Sequence, residues 1–308
     1  MIKSILLTLF LATFTASEHT ESRELSSYGD FHRRCRRTGK NKKMELDITL
    51  YNLAYAQPYS PFFIAVHNED APDLFRVGSE ATPGLALLAE MGGADNITCH
   101  LREDRRHIKD KDVELLKETI NIPLNFEMAI TDEMIAIAKK IRPHAVTLVP
   151  EKRQELTTEG GLDPKDYSNL QKVIGELKEE NILVSLFVEA DKKVIHQTKE
   201  LGADAIEIHT GTFCHDMDQA RSSAQQWSLV RPFIEASKEA HDVGLQVHFG
   251  HGLHYNNAHW LQAIPFCEEA NIGHSIISKA LFVGLETAVR EMKDLLNNSK
   301  HAPKILED

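Results

Sequence analysis

Residues 183–211 read LVSLFVEADKKVIHQTKELGADAIEIHTG, and this stretch indicates the kind of fold. An apolar run at 183–188 is followed by 192–201, where apolar residues recur at helical spacing, and then by a second apolar run at 205–210. Strand, helix and strand in this order are typical of a parallel βαβ unit. Because the same alternation continues on both sides, the chain is expected to form a parallel α/β fold.

The same pattern predicts how many units the chain contains. Residues 62–67 supply the first apolar run, and the others lie at 96–101, 123–128, 145–150, 183–188, 205–210, 245–250 and 272–277. Amphipathic segments at helical spacing lie at 112–120, 132–141, 167–180, 192–201, 227–243 and 285–296. Eight units in about 230 residues predict a (β/α)8 TIM barrel. An open doubly wound sheet is the alternative, but its GxGxxG fingerprint is missing from the sequence.

Composition excludes several classes of function. The chain has 308 residues, with 35 Lys and Arg against 46 Asp and Glu, so its formal net charge is −11. This acidic balance argues against a nucleic-acid partner, which would need a concentrated basic surface. Hydrophobic residues at 42% and charged residues at 26% are ordinary globular values, so no membrane association is expected. The four cysteines form no CxxC motif, which favours a reducing cytoplasm.

The first 43 residues differ from the rest of the chain. An apolar run at 5–14 follows Lys3 and resembles a secretory signal, although it is too short to span a bilayer. A basic cluster at 33–43 follows. We interpret residues 1–43 as a signal-like, basic extension that is disordered or non-native: either an unstructured extension or residues upstream of a true start at Met44. Residues 44–75 then form the first-strand region, and 76–308 form the remainder of a single barrel domain.

Ionisable side chains mark the carboxyl ends of the predicted strands, where a barrel assembles its active site. They are His100, Glu127, Glu207, His209, His251 and His274. Burying such groups costs free energy unless they form hydrogen bonds or ion pairs, and they are otherwise found at functional sites. One interpretation is structural: a histidine that only forms hydrogen bonds, or a buried glutamate that only pairs with an arginine. The other is proton transfer to a carbonyl, hydroxyl or amine inside one cavity.

Two corners of the predicted mouth suit anions. Glycines beside His251 and His274 lie where barrels frequently bind a substrate phosphate. Arg102 adds a planar fork for an anionic oxygen, and Thr157 with the two glycines after strand 4 offers a second phosphate site. The pattern therefore predicts phosphorylated substrates and a multistep reaction.

Other chemistries fit the sequence less well. No HxH ligand pair lies near the first strand, so no metal site is expected. A Schiff-base aldolase requires a lysine inside the barrel. No predicted strand contains one, and Lys152, just past strand 4, is the only candidate. Borohydride trapping of substrate on Lys152 would support that alternative.

Six blocks of sequence closely resemble the pyridoxine 5'-phosphate synthase family of vitamin B6 biosynthesis. They are HLREDRRH (100–107), NFEMA (125–129), LVPEKRQELTTEGGLD (148–163), IEIHTG (206–211), GHGL (250–253) and NIGHSII (271–277). The resemblance covers about residues 76–297 and implies a (β/α)8 TIM barrel with extra helices. It also implies a homo-octamer built from dimers, and condensation of 3-amino-2-oxopropyl phosphate with 1-deoxy-D-xylulose 5-phosphate, without a metal or organic cofactor.

The resemblance also implies roles for individual residues. His100 and Glu127 match the family's proton acceptors, His251 its proton donor, and Glu207 the carboxylate that stabilises charge on intermediates. Contacts to the deoxyxylulose phosphate are implied for Arg102, His107 and Thr157. Contacts to the aminoketone phosphate are implied for Gly252, Gly273 and His274.

The sequence departs from the family at the first strand. The family motif N-x-D-H-x-A-T-x-R-x-A-R has only partial counterparts here: Asn68, Asp70 and Arg76 match further substrate contacts. Either the chain uses a diverged first strand, or its N-terminal part derives from a shifted reading frame or misplaced start. The alternative function is therefore a phosphate-binding barrel that has lost catalysis.

Overall fold

The computed structural model describes residues 81–105, 108–151 and 160–304, together with the backbone of residues 4–9. The chain divides into two units, one made of residues 1–13 and 66–308 and the other of residues 14–65. All described residues belong to the first unit. The boundaries predicted at residues 43 and 75 lie outside the described residues.

Parallel strands form the centre of the first unit. In chain order they are β1 (Ser4–Leu9), β2 (Asn96–His100), β3 (Leu124–Met128), β4 (Ala145–Leu148), β5 (Leu183–Val188), β6 (Ala205–His209), β7 (Gln246–Gly250) and β8 (Cys267–Asn271). From β2 to β8, each strand pairs in parallel with the next, which gives a curled sheet. The prediction of a parallel α/β fold is confirmed.

A strand also forms in a segment where the sequence pattern predicts none. Ser4–Leu9 pairs in parallel with β2 on one side and with β8 on the other. This position was predicted for residues 62–67, which lie outside the described residues. The apolar run that resembles a signal segment therefore supplies β1. Signal segments and buried parallel strands are both short apolar runs, so hydropathy alone does not separate them.

The last strand also differs from its prediction. β8 is Cys267–Asn271, whereas an apolar strand was predicted at 272–277. Residues from His274 onward are helical instead. The segment CEEAN does not read as a strand because Glu269 and Asn271 face a polar sheet interior rather than an apolar core.

Helices follow the strands. They are α1 (Ala81–Met91), α2 (Asp110–Thr119), α3 (Asp132–Ile141), α4 (Leu170–Glu179), α5 (Lys192–Glu200), α6 (Gly211–Gln219), α7 (Ser223–Asp242), α8 (His274–Val283) and α9 (Leu285–Asn297). The segments predicted by helical periodicity correspond to α2–α5, α7 and α9, and periodicity did not find α1, α6 or α8. None of the described helices is both long and apolar enough to cross a membrane.

The two faces of the sheet bury different kinds of side chain. Alternate side chains such as Phe126, Val146 and Leu186 belong to the apolar core. The intervening positions are polar: the Asn125 amide donates to Thr98 Oγ1 at 3.1 Å and accepts from the Thr147 hydroxyl at 3.1 Å. Because the interior residues bond to one another across neighbouring strands, the sheet can carry ionisable groups on the same face.

The start of α5 provides a test of local stability. The Asp191 side chain accepts hydrogen bonds from the backbone N–H groups of Lys193 and Val194, at 2.8 and 3.0 Å. We expect Asp191→Ala to lower the free energy of unfolding by about 1 kcal/mol, because two N–H groups lose their acceptor. Urea unfolding measures this loss. Asp191→Asn keeps an acceptor oxygen, so an equal loss in both variants would contradict the capping role.

Candidate active site

The first part of the site lies at the carboxyl ends of β2, β3 and β4. His100 Nε2 lies 2.7 Å from Glu151 Oε1, and His100 Nδ1 lies 3.7 Å from Glu127 Oε2. His100 and Glu127 are register partners on adjacent strands. The other Glu151 oxygen accepts the backbone N–H of Glu103 at 3.1 Å. The histidine therefore sits between two carboxyl groups, one on each side of its ring.

The second part lies on β6, β7 and β8. Glu207 is 2% exposed, and the Asn271 side-chain amide donates to its carboxyl group. Gly250 leaves the space that this carboxyl group occupies: a Cβ at Gly250 would lie 1.9 Å from Glu207 Oε1. The carboxyl group on the neighbouring strand thus explains why the first residue of GHGL is a glycine.

Burial and hydrogen bonding divide the carboxyl groups into two kinds. Burial raises the pKa of Glu127, and burial with the charge of Glu127 raises the pKa of Glu207. Burial also acts to raise the pKa of Glu151, but its hydrogen bond and charge interaction with His100 outweigh this effect and lower it. The hydrogen bond from His209 lowers the pKa of Glu189. Groups whose pKa values are pushed apart in one site can serve as acid and base.

A second histidine–carboxylate pair lies at the end of β6. His209 Nδ1 lies 2.8 Å from Glu189 Oε1, and the same oxygen accepts the Gly161 backbone N–H at 2.8 Å. The His209 ring is 5.0 Å from the His251 ring, measured between centroids. His209 therefore connects the segment that follows β4 to the loop that follows β7.

The loop after β7 holds His251 in an unusual backbone conformation. Its φ angle is +77°, in the region that favours glycine. The Thr210 hydroxyl lies 2.7 Å from the Gly250 carbonyl oxygen and 2.5 Å from that of His251, and fixes this turn. Burial and the neighbouring His209 lower the pKa of His251 to about 4. The imidazole is consequently neutral at neutral pH.

The residues predicted to bind phosphate lie around this loop and near β2. Gly252 has a φ angle of +79°, and a Cβ there would lie 3.2 Å from Cys214 Cβ. Gly273 precedes α8, and His274 is its first residue, so the backbone N–H groups at that helix start can face an anion. Arg102 is 2% exposed, with Nε 3.9 Å from Asp104.

The remaining predicted contacts lie outside the described residues. They are Asn68, Asp70, Arg76, His107 and Thr157. Lys152, on which the aldolase alternative depends, also lies outside them. Within the described parts of the chain, no three His, Cys, Asp or Glu side chains are grouped so that they could hold a metal ion.

Sequence reasoning missed three contributors to this site. Glu151 and Glu189 each follow a strand and each accept a hydrogen bond from a histidine. Asn271 lies in the strand that was predicted in the wrong place. The signal that could have found the glutamates is their position, since each is within three residues of a strand's carboxyl end.

The fold and the site define a class of protein: a parallel α/β enzyme with buried acid–base groups at the carboxyl ends of its strands. The chain belongs to a known family of this class. The family model "Pyridoxal phosphate biosynthesis protein PdxJ" matches residues 77–298, which is more than half of the chain. The family predicted from the sequence blocks is confirmed.

Individual relatives agree with the family model. The pyridoxine 5'-phosphate synthase of Prochlorococcus marinus (strain AS9601) is 54% identical over 212 residues, which cover 68% of this chain and 87% of the relative. That of Syntrophotalea carbinolica is 53% identical and covers 70% of this chain and 88% of the relative. A designed cube-shaped protein cage aligns with a TM-score of 0.50 at 10% identity, covering 73% of this chain and 70% of the cage chain. That similarity concerns the fold alone.

Proposed function

We propose that this chain is a pyridoxine 5'-phosphate synthase. It would condense 3-amino-2-oxopropyl phosphate with 1-deoxy-D-xylulose 5-phosphate to give pyridoxine 5'-phosphate, inorganic phosphate and water. The observation that carries the proposal is the arrangement of His100 between Glu127 and Glu151, with Glu207 on the same sheet interior. Family membership supports the choice of substrates.

The proposed reaction needs several proton transfers, and the site offers groups of both kinds. The substrate amine attacks the sugar ketone, water and phosphate are eliminated, and an aldol-type step closes the ring. His100 and Glu127 accept protons, and His251 returns a proton after it has received one. Glu207 stabilises charge that develops on the intermediates.

The substrate phosphates are assigned to two corners. Gly252, Gly273 and His274 hold the aminoketone phosphate, supported by the helix start at His274. Arg102, His107 and Thr157 hold the deoxyxylulose phosphate, and Asn68, Asp70 and Arg76 add contacts from the first-strand region. Of this second set, Arg102 lies within the described residues; its side chain is buried, and its charge helps to lower the pKa of Glu151.

The architecture of the proposed enzyme is a (β/α)8 TIM barrel with extra helices, assembled as a homo-octamer built from dimers. Support for the barrel comes from the pairing of β1 with both β2 and β8. Relatives named as synthases support the active enzyme over a barrel that only binds phosphate.

Turnover with defined substrates tests the proposed function. The purified full chain is given both phosphorylated substrates, and pyridoxine 5'-phosphate and released phosphate are measured together. We expect one phosphate for each product molecule and no product when either substrate is omitted. Binding of both substrates without product would overturn the proposal in favour of the phosphate-binding alternative.

A further inference from the structure

The His209 side chain is buried and oriented by a single carboxylate. His209 is 6% exposed, and its Nδ1 atom lies 2.8 Å from Glu189 Oε1. A carboxylate only accepts hydrogen bonds, so the Nδ1 atom of His209 carries a proton. Among the described residues, nothing donates a hydrogen bond to this buried Nε2 atom.

The free Nε2 atom faces the space beside His251. A Cβ at Gly211 would lie 2.5 Å from His209 Nε2 and 3.1 Å from His251 Cδ2. Gly211 thus leaves the two imidazoles in mutual contact, with no side chain between them.

We propose that Glu189 and His209 are positioning residues for His251: Glu189 holds the proton of His209 on Nδ1, and the negative charge of Glu189 supports a protonated His251 during turnover. This inference rests on the proposed role of His251 as a proton donor. Glu189 acts through His209, and His209 acts through His251.

The same carboxylate connects this pair to the end of the segment that follows β4. Glu189 Oε1 also accepts the Gly161 backbone N–H. Gly161 lies against β5 so closely that a Cβ there would be 2.4 Å from the Glu189 backbone nitrogen. The segment between β4 and Gly161 contains Thr157, so Glu189 ties the end of that segment to His209.

Among the described residues, four groups from neighbouring elements surround His251. These groups are His209 from β6, Glu189 from the end of β5, His274 from α8 and Cys214 from α6, whose thiol faces the His251 carbonyl. Of the four, Glu189 is the anion. Its charge acts to raise the pKa of His251, against burial and the two histidines, which lower it. Removing the charge should therefore lower that pKa further.

Two variants separate the tautomer from the charge. Glu189→Gln keeps an acceptor oxygen for His209 and Gly161 but loses the charge, whereas Glu189→Ala loses both. We expect kcat to fall about 10-fold in Glu189→Gln and about 100-fold in Glu189→Ala. These losses do not exceed the lower end of the range for a lost acid–base group, because Glu189 acts through other residues. KM should stay within about twofold of the wild-type value. The acidic limb of the kcat profile should move to lower pH in Glu189→Gln.

A spectroscopic measurement makes the test independent of activity. In chains with 15N-labelled histidine, the ring nitrogen shifts report the His209 tautomer and the titration of His251. We expect the Nδ1–H tautomer in wild type and Glu189→Gln, and a mixture of tautomers in Glu189→Ala. The matched control is Glu239→Gln, because Glu239 pairs with the more exposed His196 in the same way.

The outcomes distinguish this inference from the proposed function. An unchanged His209 tautomer in Glu189→Ala, or an unchanged pH profile in both variants, would overturn the positioning role. A wild-type chain without turnover would overturn the proposed function, while the tautomer measurement would still decide the role of Glu189.

Discussion

Replacing His251 with alanine is expected to lower kcat by about 10²–10⁴-fold, the range for losing a positioned acid–base group. The backbone that carries this imidazole is fixed by the turn at φ +77° and by the Thr210 hydroxyl. Phosphate release and pyridoxine 5'-phosphate formation, measured at saturating substrate, give the size of the effect.

The control for this variant is His196→Ala. His196 lies on α5 and pairs with Glu239, and its side chain is 45% exposed. It should retain turnover, so a general effect of removing an imidazole is excluded. A His251→Ala chain that folds and keeps more than about a tenth of the wild-type kcat would contradict the role of His251.

The lowered pKa of His251 also fixes the direction of a stability effect. Burial lowers this pKa from 6.5 to about 4, so the folded state binds fewer protons than the unfolded state between these values. The stability associated with the neutral ring is present above pH 6.5 and is lost as pH falls through about 4. His251→Ala should therefore lose less stability than the wild type over this interval.

The sequence predicted the middle of the fold better than its two ends. β5 and α3 have the bounds that periodicity indicates, because each combines a clear pattern with clear flanking residues. β8 was misplaced because its interior residues are polar, and the apolar run after it begins a helix. At the other end, the apolar run at 5–14 was interpreted as a signal-like segment, whereas Ser4–Leu9 forms a strand that pairs with β2; the strand predicted at 62–67 lies outside the described residues.

The sequence also predicted only part of the candidate site. Strand position brought His100, Glu127, Glu207 and His251 into one set. The structure places His100 and Glu127 on the adjacent strands β2 and β3, Glu207 on β6, and His251 directly after β7. Position could not show which carboxyl groups are ionised, because that depends on contacts across the sheet. Glu151 and Glu127 flank the same imidazole, yet a hydrogen bond lowers the pKa of one and burial raises that of the other.

Glu207→Gln is expected to lower kcat by about 10²–10³-fold and at the same time to stabilise the fold at neutral pH. The carboxyl group is 2% exposed, and burial with the charge of Glu127 raises its pKa well above 4.5. Ionising Glu207 in the folded protein is therefore costly. The amide has a similar shape, still accepts from Asn271 through its oxygen, and carries no charge, so it avoids this cost.

The pH dependence of the stability change identifies its origin. A group with a raised folded-state pKa favours folding below its unfolded value, and this contribution is lost as pH rises through the folded-state value. Glu207→Gln should thus gain at least about 1 kcal/mol over the wild type at pH 7–8, one pKa unit's equivalent, and gain little near pH 4. Urea unfolding at both pH values measures this difference.

Glu269→Gln is the matched control, since Glu269 lies on the adjacent part of the sheet interior and pairs with His248 at 3.3 Å. It should keep turnover and lose, rather than gain, stability, because its charge has a partner. If Glu207→Gln is less stable than the wild type at neutral pH, the carboxyl group is stabilised by its surroundings and not strained by them. A gain in stability combined with a loss of turnover would instead show that the Glu207 carboxyl group destabilises the fold. That result is expected for a group that is retained for its role in the reaction.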